Sequence, residues 1–487
     1  MKVVHHLRWL VPLASLGVSG FAWAEPFTPD EALARAAARS PELSAALYDI
    51  KSATASVDAE DRVRDPVLSG SLHATQSDRT SLDGSLGVRT TTDIGTEINI
   101  GVNSSFDTAR DATTLNPDPS TSSSATVGVD IRQPLLRGGG TDAVLAALRQ
   151  AKLSRSSAQV DRDKAASTLA ADVLSAYWEV WFSAKALDVE RASLTVTEQQ
   201  VSDMRKRVDI LKTAPATDAL RLESELASQR GAVSRAEADL ETQQITLARL
   251  LGISYAEASA IVASGDPEAN ATVPTLADLI PLAEAESYQL RTQRMAIESQ
   301  KIGVHSAEDA AQPRLDFVAS VSAGALWDDQ FSGFDFQGGR PGIIAMIGLE
   351  GELPFGKSDE DARLDGAKAR LGAAQARYQA ASEELGAQVA RTRRSLVEAE
   401  DAAQIATETA RISRELADKE ASKLKLGTSV VTDLVLAQQQ ARSADLQALR
   451  ARANVETTRI ALDELTGSLL ARVASVHPNF TATAKDI

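Results

Sequence analysis

The chain has 487 residues, 43% of them hydrophobic and 24% charged, with a formal net charge of −16. So acidic a chain offers no basic face to neutralise phosphates, which argues against nucleic-acid binding, while its hydrophobic share is enough to bury a core. With no cysteine at all, disulfides, thiolate chemistry and a lipidated N-terminal cysteine are excluded.

Lys2 and Arg8 precede an apolar run over residues 10–22, and Ala22-Trp23-Ala24 supplies the small-x-small pattern of a signal-peptidase site. Residues 1–24 therefore read as a secretory signal peptide whose apolar part is too short to span a bilayer as a helix. The mature chain is expected to begin at Glu25 and, without Lys2 and Arg8, to carry −18. Beyond it no apolar run reaches the roughly 18 residues a membrane helix needs, so any membrane passage falls to β-strands.

The rest of the sequence reads as one unit used twice. Leu211, Thr217, Asp218 and Gly252 match Leu426, Thr432, Asp433 and Gly467 at a constant offset of 215. Thr28, Leu43 and Pro66 match Thr275, Leu290 and Pro313 at an offset of 247. The two offsets differ by 32, so the first copy holds about that many extra residues in its middle, near 78–125, read as an extra hairpin or a long external loop. The first repeat is set at 25–252, a linker at 253–274, the second repeat at 275–467 and a C-terminal tail at 468–487.

Each copy opens with an amphipathic helix, expected over 29–64 and over 275–311, and stopped by a proline. The period then switches to two. Leu68, Gly70 and Leu72 alternate weakly; Ile98, Ile100 and Val102, and then Val127, Val129 and Ile131, alternate clearly. In the second copy Leu315, Phe317, Ala319, Val321 and Ala323 do so, followed by Ile343, Ala345, Ile347 and Leu349. These strands, at about 66–134 and 313–354, have one apolar face. Pro134 and Pro354 close them.

Long proline-free helices follow, expected over 142–213 and 361–426, roughly 108 and 100 Å at 1.5 Å per residue. In the second, Val389, Leu396, Ala403, Ala410, Ala417 and Leu424 recur every seven residues, the spacing of a helix packed lengthwise on neighbours. Tight turns at 212–216 and 427–431 lead into shorter antiparallel helices. The opening and closing helices of a copy, laid end to end, match its long helix in length. Such a unit leaves its strand edges open, so it is expected to complete its sheet with identical copies, three chains of four strands making twelve.

Gln133-Pro134-Leu135-Leu136 with Gly138-Gly139-Gly140, and the turn Leu426-Gly427-Thr428-Ser429-Val430-Val431-Thr432-Asp433-Leu434, resemble the signature segments of TolC-family outer-membrane efflux proteins over essentially the whole mature chain. The resemblance implies an α+β membrane protein: a homotrimer with a twelve-stranded transmembrane β-barrel, four strands per chain, continuous with a periplasmic α-helical barrel. It further implies a passive channel subunit of a tripartite efflux or type I secretion system in the outer membrane. Its partners would be outer-membrane lipid, a periplasmic adaptor (membrane fusion) protein and an inner-membrane transporter of RND, ABC or MFS type. By position Asp218 and Asp433 match family aspartates near the closed periplasmic entrance. The match is incomplete: Ser429, Leu424 and Leu436 stand where the best-known member has an arginine, a tyrosine and a second aspartate, and the first turn has Lys212 and Pro215 but no glycine. The rival architecture is a periplasmic coiled-coil adaptor or scaffold without a barrel, which leaves the alternating strands unused.

The site residues carry two readings each. Asp218 and Asp433, beside Thr217, Thr432, Gly427 and Ser429, are read as helix caps at the start of the closing helices and as a carboxylate ring gating the entrance. Trp327, Phe331, Phe334 and Phe336 crowd one strand-to-strand loop and read either as an interfacial aromatic girdle or as a hydrophobic plug of that loop. Tyr177, Trp178, Trp181 and Phe182 lie in a long helix and read as packing. Residues 351–358, with Gly351, Gly356, Lys357 and Ser358, fit the phosphate-loop pattern, but the first copy lacks Lys-Ser at the matching place, so the segment reads as the sheet-to-helix turn. His73, His305 and His477 are scattered, acidic residues on the long helices read as solvated faces, and no nucleophile–base pair stands out. No cofactor, no metal and no enzymatic activity are expected.

Overall fold

In the computed structural model of the chain, the offsets read from the sequence reappear as element boundaries. The structure describes residues 27–76, 79–110, 119–212, 215–267, 273–328, 342–353, 356 and 359–476. They form two compact units. One holds the described parts of Met1–Ala36, Val173–Asn270 and Ala399–Thr457; the other holds those of Ala37–Asp172, Ala271–Glu398 and Thr458–Ile487.

The first copy opens with α1 (Pro29–Arg39) and α2 (Pro41–Arg62), the second with α6 (Leu276–Glu286) and α7 (Tyr288–Ala310). Each opening helix is thus broken in two, where one continuous helix was expected. The breaks fall on Ser40 and Ser287, 247 residues apart, both with extended backbone at ψ 121° and 125°. At Ser40 the cause is local: Pro41 excludes helical ψ from the residue before it, and the freed hydroxyl accepts from the Leu43 amide at 3.3 Å. Ser287 has no proline after it and adopts the same bend.

The strands are β1 (Val67–Gln76), β2 (Arg79–Thr91), β3 (Glu97–Arg110) and β4 (Pro119–Pro134) in the first copy, and β5 (Arg314–Asp328) and β6 (Gly342–Glu352) in the second. They form one antiparallel sheet in the order β1-β2-β3-β4-β5-β6. The chain therefore contributes six strands where four were expected. Since β1 follows Pro66 as β5 follows Pro313, and β4 and β6 both lead out to the long helices, the extra residues of the first copy are the hairpin β2–β3, one of the two arrangements expected for them.

That hairpin is anchored at its helix-side turn. Gly95 takes φ +87°, and a Cβ there would meet the Gly138 carbonyl oxygen at 2.7 Å. Gly140 N–H donates to the Ile94 carbonyl at 3.2 Å, Thr90 Oγ1 to the Arg64 carbonyl at 3.0 Å, and Arg64 pairs with Asp93 at 2.8 Å. Beside it an ionic cluster ties β4, β5 and β6: Arg132 lies 2.7 Å and Arg314 2.8 Å from the buried carboxylate of Asp316, and Arg132 3.2 Å from Glu350.

The long helices are α4 (Ala146–Asp209), preceded by the single turn α3 (Thr141–Val144), and α8 (Asp359–Lys425). The first is shorter at both ends than expected. Of the heptad positions in α8, Val389, Leu396, Ala410 and Ala417 are buried, and Ala403 and Leu424 half-buried. Ala410 packs with Ala444 and Ala448, and Ala417 with Ala437 and Ala441, all on α8 and the helix that follows it. Small side chains at these places let the helix axes approach closely. The closing helices α5 (Ala216–Leu251) and α9 (Val431–Thr466) have 36 residues each, start 215 residues apart, and end on Gly252 and Gly467, both left-handed at φ 63° and 76°. A 3₁₀ turn (Tyr255–Ala260) lies in the segment expected as linker and α10 (Ser468–Val476) in the expected tail.

Tyr177, Trp178 and Trp181 are buried, their rings meeting edge to face at 5.3 and 5.9 Å, and Arg450 lies 3.7 Å over the Phe182 ring. The Tyr177 hydroxyl donates to the Phe27 carbonyl at 2.9 Å, pinning the parallel bridge of Phe27 with Ala263. Burial pushes its phenol pKa up. These aromatics are packing, as read from their place in a helix.

Candidate functional site

The two hairpin turns, α4–α5 and α8–α9, carry the residues singled out from the sequence. At the second turn Gly427 is left-handed at φ 76°, its amide donating to the Leu424 carbonyl at 3.2 Å and that of Thr428 to the Lys423 carbonyl at 3.0 Å. This paired return is the Schellman ending. At the first turn, 215 residues earlier, Lys212 holds the left-handed position at φ 54° without being glycine. Ser429 Oγ donates to Glu420 at 2.8 Å, and Lys423 Nζ donates to the same carboxylate at 2.7 Å; the Lys423 bond foremost holds the Glu420 pKa below the usual range.

Asp218 and Asp433 occupy the third position of α5 and α9, with backbone amides bonded alike, to Pro215 and Val430 at 3.1 Å each. The capping expected of their carboxylates is corrected: among the described residues neither accepts a hydrogen bond or an ion pair, and α5 has Pro215 at its N-cap with no side-chain bond. In the first turn they still favour the positive end of the helix dipole. Asp433, Thr217, Thr432 and Gly427 are exposed; Asp218 and Ser429 are half-buried.

The tips of the two copies meet within one chain. Val201, Met204, Ala219 and Leu222 pack with Val431, with Leu424 and Val435 against them. Arg221, one turn beyond Thr217, donates to the Thr432 hydroxyl. Further along, Arg442 lies 3.7 Å from Glu190 and 3.9 Å from Glu225, and Gln439 donates to Glu225 at 2.7 Å. Glu190 is only 8% exposed, so reading all acidic residues of the long helices as solvated is corrected here. Its burial has no sequence signal short of knowing which faces of α4 and α9 meet.

The sheet has two unlike faces. By register Leu68, Val88, Ile100, Val129, Val321 and Ala345 form one row across all six strands, and Gly70, Leu86, Val102, Val127, Ala323 and Ile343 the next. No described side chain on that face is ionisable. Leu68, Leu72, Leu86, Ile100, Val127, Val321, Ile343 and Ile347 on it are all exposed. Among the described side chains the opposite face carries serines, glycines and threonines with seven acidic residues (Asp83, Glu97, Asp107, Asp130, Asp316, Glu350, Glu352), His73 and three arginines (Arg89, Arg132, Arg314), and on β6 the exposed Ile344 and Met346. Trp327 pairs its backbone with Ser123, while its side chain and the whole of Phe331, Phe334 and Phe336 lie outside the described residues, as do Pro354, Phe355, Lys357, Ser358 and His477. No described helix is long and apolar enough to cross a membrane, and the described residues hold no cluster of metal-ligating side chains.

The family model of outer membrane efflux proteins matches residues 32–253 and 279–468. No curated protein matches the chain. Among solved structures, the outer membrane protein VceC of Vibrio cholerae superposes with a TM-score of 0.67 at 15% identity, over 90% of this chain and 96% of its own. The open state of the Neisseria gonorrhoeae MtrE outer membrane channel gives 0.64 at 18%, over 91% and 89%, and the Campylobacter jejuni CmeC outer membrane channel 0.67 at 11%, over 93% and 89%. At such identities the structures show a shared fold. The family model spans most of both copies of the repeat, and the chain belongs to the outer membrane efflux protein family.

Proposed function

We propose that three copies of this chain form an outer-membrane channel, their sheets closing into a barrel and their long helices into a periplasmic tunnel, as a passive, water-filled path out of the cell. The two-faced sheet carries this reading. An exposed apolar face across six strands is untenable in water, whereas lipid solvates it and leaves the charged face to line a lumen. The strands, 10–16 residues long, suit a tilted crossing of the hydrocarbon layer. A periplasmic adaptor without a barrel gives that face no role. The family is one of conduits, not of enzymes. Residues 1–24 are the export signal, 25–252 and 275–467 the two repeats. An inner-membrane transporter, reached through a periplasmic adaptor protein, supplies the energy and selects the cargo, so small-molecule efflux and type I protein secretion use the same duct.

The entrance is assigned to the hairpin tips. Asp218 and Asp433, lacking partners among the described residues, form a carboxylate ring in the trimer, Thr217 and Thr432 flank it, and Gly427 and Ser429 shape the turn. Planar-bilayer recording tests both levels. The wild type is expected to conduct, to favour cations and to be blocked by multivalent cations. Asp433→Ala removes three charges worth about 1 kcal/mol each near the surface, so the blocking concentration should rise roughly tenfold or more. Unchanged block ends the gate assignment alone; a soluble monomer without conductance ends the channel.

A further inference from the structure

We infer that the assembled barrel has eighteen strands, six from each of three copies, closed by pairing β6 of one copy with β1 of the next. This rests on the reading of the chain as a trimeric channel and deepens it by naming the seam and the width. Within the chain β1 and β6 are the two ends of the sheet, and nearly every residue of both is exposed. Their unpaired backbone groups cannot remain open in hydrocarbon. One copy cannot close on itself, because six strands are fewer than the eight or so whose barrel just accommodates its own side chains.

Direction and chemistry both suit the β6–β1 seam. In a six-stranded antiparallel sheet β1 and β6 run oppositely, so joining them keeps the ladder antiparallel at every junction. Both edges show large aliphatics on the same face, Leu68 and Leu72 on β1 and Ile343, Ile347 and Leu349 on β6, so closure continues one apolar belt.

The hairpin β2–β3 cannot be set aside as an external loop. Its strands pair continuously on both sides, β2 with β1 over ten residue pairs and β3 with β4 over fourteen. Its turn is fixed where Gly95 touches Gly138. With the hairpin included, three copies hold six strands more than twelve. At about 4.8 Å per strand these add about 29 Å of sheet, and the diameter grows about 1.5-fold. A pore of that class is suited to bulky cargo.

Because the chain has no cysteine, disulfide trapping is clean. Ser71→Cys on β1 is combined in turn with Gly342→Cys, Ile344→Cys, Met346→Cys and Gly348→Cys on the same face of β6, in membranes, with native mass spectrometry giving the copy number. One or two neighbouring β6 positions are expected to convert at least half the chain to a covalent trimer under mild oxidation. Asn103→Cys on β3 with the same β6 series should trap at least tenfold less. Trapping through Asn103 instead, or through neither in an intact trimer, overturns the seam. A copy number other than three overturns the trimeric reading while leaving the seam measurable. For variants that do not assemble, electron cryomicroscopy of the wild type decides: eighteen strands in cross-section support the proposal and twelve refute it.

Discussion

Lys212 and Gly427 hold equivalent left-handed positions at the two hairpin tips, with φ 54° and 76°. A side chain at such a position costs about 1–2 kcal/mol, because Cβ crowds the carbonyl oxygen, and glycine avoids it. Around Gly427 there is open space, so Gly427→Ala adds only that backbone term. Amides of the α8–α9 turn should then exchange with solvent about fivefold faster or more. Lys212→Gly removes the same strain and should slow exchange at the α4–α5 turn; equal or faster exchange would show that Lys212 is not strained. The repeat was legible here from Thr217 with Thr432 and Asp218 with Asp433. The shared backbone geometry was not, since lysine gives no sign of a positive φ.

Among the elements, the long helices depend on small side chains where they meet. Ala410 is fully buried between Ala444 and Ala448. Ala410→Leu forces extra methylenes into that contact and should destabilise the helical part by about 1–3 kcal/mol, whereas Ala402→Leu, at an exposed place on the same helix, should cost less than about 0.5 kcal/mol. Chemical unfolding followed by helical circular dichroism makes the comparison; equal costs would mean that the α8–α9 contact is loose. The seven-residue spacing disclosed this face of α8. The broken opening helices were half legible, since Pro41 forbids a helical Ser40 while nothing next to Ser287 announces the same bend.

Over the whole molecule, charge interactions set the acid limit. Neighbours that donate to them hold four carboxylates, three exposed and Glu420 half-buried, below their ordinary pKa: Gln199 acts on Asp203, Gln388 on Glu384, Arg411 on Glu408 and Lys423 on Glu420. An acid with a depressed folded pKa stabilises the folded chain above its unfolded value, 3.8 for aspartate and 4.5 for glutamate here, and that gain is lost as pH falls through the folded pKa. Asp445 and Asp463, raised by burial, have the opposite sign and favour the fold on acidification. The thermal midpoint of the helical signal should therefore fall between pH 5 and 3, and Glu420→Gln should bring the pH 7 value toward the acid one. About 1 M salt should shrink the pH difference most, because all the pairs but that of Glu420 are exposed. A midpoint unchanged by pH would mean that the half-buried Asp445 and Asp463 offset the other pairs. What the sequence determined by itself was whatever repeats locally: the duplication, most of the period-two strands, the long runs of helix and the family, because periodicity and turn residues are written in neighbouring positions. Only the tertiary structure decided that the extra residues near 78–125 enter the sheet as β2 and β3 and that Glu190 is buried beside Arg442. It also decided that the tips of the two copies pack on each other, because each of these depends on which distant faces meet, and no single stretch of chain encodes a partner.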